Sequence, residues 1–259
     1  MNPQQEFALL SASFIDISNE WEYRSGLGKT ELESLYMMRI GNYQLQLLEI
    51  QLEIRAIQRK IEEINICLNR NEQPSLAVIN AKILVEMAEF YEQINQTSQQ
   101  ITAAKLFMLI AEPVKNEAEL KKCYKQLAKK IHPDLVPEFT AELKMIWEKV
   151  VNAYKTGNLE ELQSIAIVYA AEIENRTEDF SDAELKSKNE HLKKSIKRLN
   201  LQLQKLYESF PYSHQQKILD EDWIVSERNN ILENITQHKT VLEEYREKYL
   251  NLINGLESE

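Results

Sequence analysis

Glycine and proline are scarce in this chain, five and six residues among 259, which excludes folds that need many tight turns between short strands. With few helix breakers and abundant Leu, Ile, Glu, Lys and Gln, long helices are the favoured element. Cysteine is scarcer still. Cys67 and Cys123 both fall inside helical patterns, with no neighbour at metal-binding spacing, so they are expected to be reduced packing residues of a reducing compartment. The stretch "MNPQQEFALL" lacks the basic start and apolar run of a secretory leader, and no apolar segment is long enough to span a bilayer. The expectation is a cytoplasmic protein without membrane contact. Basic charge is also in deficit: a net charge of −10 and a pI of about 5.2 give no broad positive surface for phosphates. Nucleic acid is therefore not an expected partner.

Catalytic signatures are missing too. No Ser/His/Asp or Cys/His set stands in a strand-and-turn context, which argues against an independent enzyme. His191, His214 and His238 are scattered without paired ligands, so neither a metal nor a cofactor is expected. "SGLGKT" resembles the end of a phosphate-binding loop, but that motif needs glycine where this chain has Tyr23, and no strand precedes it.

What is present is regular apolar spacing. Phe7, Leu10, Phe14, Ile17 and Trp21 make one stripe of an amphipathic helix within 1–29. From Tyr36 through Ile40, Leu47, Ile54 and Ile61 to Leu68, apolar residues then recur every three or four positions. This spacing keeps one seam facing a partner helix. Thr30 with Glu33 reads as a capping box at its start, and "NRNEQPS" as the turn that ends it. Leu76, Ile79, Ile83, Met87, Phe90 and Ile94 carry a second seam, so 30–102 is expected to be an antiparallel coiled-coil hairpin. Ser181 and Glu184 form another capping box. Behind it Leu185, Leu192, Leu199 and Leu206 continue a seam with Asn189 in one slot, broken at "SFPYS" by Pro211. Ile231, Ile235, Leu242, Tyr249 and Leu256 follow, with His238 in a seam position. A second hairpin is therefore expected over 181–256.

The segment 103–172 differs in character. "TAAKLFMLIAEP" reads as a short apolar helix ended by Pro113. In "NEAELKKCYKQLAKKI", Leu120, Cys123, Tyr124, Leu127 and Ile131 share one stripe, and Lys121, Lys122, Lys125 and Lys129 form a solvated ridge opposite. His132-Pro133-Asp134 then forces a turn, because proline lacks an N–H and disfavours helix in the residue before it. In "FTAELKMIWEKVVNAYKTGN", Leu143, Trp147, Val150, Val151 and Tyr154 make the facing stripe. Gly157 closes that helix, and Asn158 with Glu161 opens the next.

Lysine-faced helix, His-Pro-Asp turn and aromatic-bearing helix together resemble the J domain of the DnaJ family, over about a quarter of the chain. "ELKKCYKQLAKKIHPD" looks like that family's second helix and signature, and "WEKVVNAY" looks like its third helix, with Trp147 where phenylalanine is usual. The resemblance implies an all-α co-chaperone that docks on a DnaK-type heat-shock chaperone and stimulates its ATP hydrolysis and client capture. By it, Asp134 would engage an arginine of the chaperone, and His132 and Pro133 would fix the loop. Lys121, Lys122, Lys125 and Lys129 would meet an acidic face, with Tyr124 counted in the same partner-binding set. The chain departs from the family in its first helix, in Ile131 and in Leu135, and it lacks Gly/Phe-rich, zinc-ligating and β-sheet client regions. That places it with the divergent third class. The alternative reading is a coiled-coil scaffold or interaction protein with a vestigial J-like segment, because the seams occupy more of the chain. Apolar hairpin faces could also hold client proteins, and periodicity alone leaves homodimerisation open.

Overall fold

A computed structural model describes residues 2–110, 117–136, 139–174 and 180–257. Among these residues all regular structure is helical. In order the helices are α1 (Pro3–Ser25), α2 (Leu27–Tyr36), α3 (Asn42–Asn69), α4 (Leu76–Glu86), α5 (Ala88–Ile110) and α6 (Glu117–Ile131). Then come α7 (Ala141–Lys155), α8 (Leu159–Val168), α9 (Ala170–Glu174), α10 (Asp182–Glu208), α11 (Gln215–Leu219) and α12 (Glu221–Glu257). A π-helical turn, Met37–Gly41, joins α2 to α3, and Tyr212–His214 forms a 3₁₀ turn. No helix of the described residues is long and apolar enough to cross a membrane.

Local chemistry accounts for most of the ends. Asn2 and Gln5 form a reciprocal cap on α1, the Gln5 N–H donating to Asn2 Oδ1 at 2.7 Å. The Ser181 N–H donates to Glu184 Oε2 at 2.8 Å, and Glu184 N–H to Ser181 Oγ at 3.4 Å, at the start of α10. The helix α7 ends with Gly157 at φ 73°. Asn158 N–H reaches back to Ala153 O at 2.8 Å and Gly157 N–H to Tyr154 O at 3.1 Å, the pairing that satisfies the last carbonyls. Asn71, at φ 57°, closes α3 in the same way.

Thr30 does not cap. Its hydroxyl donates to Gly26 O at 3.2 Å, and α2 is already under way at Leu27. The stretch "TAAKLFMLI" is likewise no separate helix: it is the end of α5. Within α5, Thr97 and Thr102 turn their hydroxyls back to Gln93 O and Ser98 O, at 2.8 and 2.9 Å. Pro113, expected to end it, lies outside the described residues.

The chain divides into two compact units, Met1–Glu33 with Ala111–Gln215 and Ser34–Ile110 with Gln216–Glu259. In the second, α3 lies between two partners. Ile40, Ile50, Ile54 and Ile57 pack on Ile224, Ile231, Ile235 and Leu242, while Leu52 and Ile64 pack on Ile79, Ile83 and Met87. The α4–α5 arm runs antiparallel to α3: Lys82 meets Glu63, Arg59 meets Glu86, and Arg55 stacks on Phe90. The π-helical turn brings Gly41 under α5, where a Cβ would stand 3.1 Å from Ile101 Cγ1.

The pairing of α3 with α12 is parallel. Gln51 meets His238 and Glu53 meets Arg246, at separations of 187 and 193 residues. In the first unit α10 pairs in parallel with α1. Asn189 meets Pro3, Tyr207 meets Glu20 and Tyr212 meets Arg24, at separations of 186, 187 and 188 residues. The hairpin expected over 181–256 therefore does not form, since its two arms take partners from the beginning of the chain. Nor do 1–29 and 103–172 stand as separate domains, for α1 is integral to the unit that holds α6 and α7.

Candidate functional site

The helices α6 and α7 form an antiparallel pair joined by the His-Pro-Asp segment. Leu120, Tyr124, Ile131, Leu143, Ile146 and Tyr154 are fully covered between them and their neighbours. The Tyr124 and Tyr154 rings stack at 4.1 Å between centroids. Tyr154 also accepts a 2.8 Å hydrogen bond from Asn19 Nδ2 of α1, and burial holds its phenol far above the usual range. Tyr124 is at 0% exposure, so it cannot touch a partner. Its place in the partner-binding set is corrected to a core residue that ties α6 to α7.

At the turn, Pro133 breaks the helix while the chain folds over His132. Leu135 and Val136 N–H groups both donate to His132 O, at 2.9 and 3.2 Å, and their side chains are buried. The Asp134 N–H donates to His132 Nδ1 at 3.1 Å, which requires that nitrogen unprotonated and leaves the proton on Nε2. The imidazole lies edge-on to Phe14 of α1 and to Trp147 of α7, each at 4.7 Å. Burial pushes its pKa down to about 4, partly opposed by the Asp134 charge. His132 is thus a neutral, largely covered strut of the turn, with part of its surface still open.

Asp134, like His132 and Pro133 in the turn, is only partly covered. Its side chain retains 23% exposure, and His191 Nε2 of α10 stands 3.3 Å from Oδ1. Lys188, on the same helix, donates to Val136 O at 3.4 Å. Two helices therefore bear on the turn, α1 through Phe14 and α10 through His191 and Lys188. Sequence reasoning found none of these three. Phe14 carried a signal as part of an apolar stripe; His191 and Lys188 carried none.

The lysine ridge is only half free. Lys121 pairs with Glu117 and lies 4.0 Å over the Tyr23 ring, and Lys125 meets Asp16 of α1 at 2.7 Å. Lys122 and Lys129 are exposed. The expectation of a uniformly solvated face is corrected accordingly: α1 occupies one flank. Its acidic first turn, Glu117 and Glu119, and basic last turn, Lys129 and Lys130, also suit the helix dipole of α6.

Burial raises the Cys123 thiol, with the Glu119 charge adding to it, so it is a poor nucleophile. No group of three metal-ligating side chains occurs among the described residues. What the site can offer is a partly exposed carboxylate, a short cationic ridge and a groove beside it. Comparison with protein-family models, curated proteins and solved structures finds no match to this chain.

Proposed function

We propose that the chain is a J-domain-type co-chaperone, not an enzyme, that docks on a DnaK-type heat-shock chaperone and stimulates its ATP hydrolysis. The observation that carries this reading is the way the backbone of Asp134 is anchored at the turn. Its backbone N–H is bonded to the neutral His132 ring at 3.1 Å, at the end of a helix whose Lys122 and Lys129 face solvent. The backbone that carries the carboxylate is held in this way, so the side chain stays at the turn when its surface neighbour His191 yields to an arginine from the partner, and a guanidinium makes the stronger pair. The lysines would steer the encounter with an acidic face. Two free cysteines fit the reducing cytoplasm in which such chaperones work.

The test is steady-state ATP turnover by a DnaK-type chaperone with and without the intact protein. Wild type should stimulate it and Asp134→Asn should not, with circular dichroism showing the variant folded. No stimulation by wild type, or equal stimulation by both, ends the proposal.

A coiled-coil scaffold remains the second reading, favoured by one specific observation. The segment that would serve as the first J helix is the end of α5 and belongs to the other unit. A scaffold predicts that Asp134→Asn leaves every partner recovered by pulldown unchanged, whereas docking predicts selective loss of the heat-shock chaperone.

A further inference from the structure

Beside the turn, α1 and α6 enclose a groove of about 760 Å³. Each wall has helical periodicity. Phe7, Ala8, Ala12 and Ile15 line it from α1, and Lys122, Lys125 and Lys129 from α6. Ala8 and Ala12 are exposed, and small side chains there let another backbone come close. The lysines stand at intervals of three and four residues, spanning about 10 Å along the helix. Their aliphatic stems can cover apolar surface while the ammonium groups remain at the rim. Four lysines line the groove and one carboxylate, Asp16, answers them; in a chain of net charge −10 this is a local reversal of sign. Lys122 and Lys129 have no ion pair among the described residues, and the Asp16–Lys125 bridge is exposed on both sides, so an incoming carboxylate can replace it at little cost. Ser11 Oγ, also in the lining, is shielded from water without a hydrogen-bond partner.

We propose that this groove binds an acidic amphipathic helix of a partner protein. Its aliphatic stripe would lie on Phe7, Ala8, Ala12 and Ile15, and its carboxylates, one turn apart, would meet Lys122, Lys125 and Lys129. A cleft between two helices accepts a third helix because ridges of side chains fit the i, i+3 and i+4 spacing of both walls. Charge decides which helix enters, since a basic one would face uncompensated lysines. The proposal goes beyond the chaperone reading and does not depend on it: Asp134 is no part of the lining.

The probe is a fluorescein-labelled synthetic helix of roughly 18 residues, or five turns, with leucine on one stripe and glutamate on both flanks. Fluorescence anisotropy with the intact protein should show micromolar binding that weakens as salt rises from about 0.05 to about 0.5 M. Ala8→Arg with Ala12→Arg fills the groove while adding positive charge, so a loss of at least about tenfold there reports the groove and not the charge. Lys122→Glu with Lys129→Glu should lose as much. Failure of the probe to bind, equal binding of a peptide of the same composition with its stripe scrambled, or full binding by the arginine variant would each overturn the proposal. Asp134→Asn should bind the probe as wild type does, whatever it does to ATP turnover, so this reading and the chaperone reading fail separately.

Discussion

The two units use the same device, a parallel pairing of an early helix with a late one, and fill it with different chemistry. Along α3 and α12 the covered positions are aliphatic, an isoleucine seam bounded by tyrosines. Around α1, α6, α7 and α10 the interior holds Tyr124, Tyr154, Ser18, Asn19, Asn189 and Ser195, with His132 wedged between two aromatic rings. An aliphatic seam is tolerant, because Ile and Leu pack in many registers at similar energy. A buried polar group is satisfied in only one arrangement. The first unit has therefore given up tolerance for position. Asn19 places Tyr154, Tyr154 stacks on Tyr124, and the α6–α7 pair then presents the turn in one orientation. This difference predicts where a site can be held and where only a rod is needed.

The largest test of that contrast compares two truncations. Tyr154→Ala should destabilise the protein by about 3–5 kcal/mol and Ile64→Ala by about 2–5 kcal/mol in denaturant unfolding. Only the first should abolish the near-ultraviolet dichroism of the stacked aromatics. Equal loss of that signal in Ile64→Ala would mean that the aromatic cluster does not order the first unit. Next in size is a pH effect confined to the polar interior. His132 titrates near pH 4 in the fold against 6.5 when unfolded, so its neutral form is the one the fold retains. Between those values the unfolded chain binds more protons, and stability must fall as pH drops from about 6.5 towards 4, by up to about 3 kcal/mol. Above pH 6.5 the contribution is fully present. His132→Phe should flatten this part of the profile; an unchanged slope would place the effect elsewhere.

Much of this organisation was legible in the sequence, and the remainder was not for identifiable reasons. Caps act over three residues, so Ser181 with Glu184 and Gly157 with Asn158 could be read directly. The turn at Pro133 and the lysines on α6 are equally local. Thr30 shows the limit of such reading, because a threonine that caps and one that bonds back to its own helix look alike in sequence. Pairing direction lay further out of reach. Every seam has the same period, and a seam states that a partner exists without saying which or in what sense it runs. The contacts that decide it, such as Tyr207 with Glu20 and Tyr212 with Arg24, join residues 187 and 188 positions apart. For the same reason the lysine ridge was visible while Asp16 and Tyr23, which occupy half of it, were not.

The smallest predicted effect on stability sharpens the comparison most. Asn189 sits at 1% exposure in the α10 seam, donating to Pro3 O at 3.0 Å and Glu6 Oε2 at 3.2 Å, while its own Oδ1 has no partner. Leucine has the same branched heavy-atom skeleton, though its methyl groups are bulkier, and Glu6 keeps Lys193 at 2.9 Å, so Asn189→Leu strands nothing. The change in stability should be within about 1 kcal/mol, of either sign. Register should suffer instead, because α1 and α10 would then meet as an unmarked apolar seam that can slip by a heptad, about 10 Å. With Cys67 and Cys123 replaced by serine and spin labels at the exposed positions Leu9 and Leu201, wild type should give one distance and Asn189→Leu a second population displaced by that amount. A single unchanged distance in the variant would show that the aliphatic contacts alone set the register. The two units would then differ in chemistry but not in how they are specified.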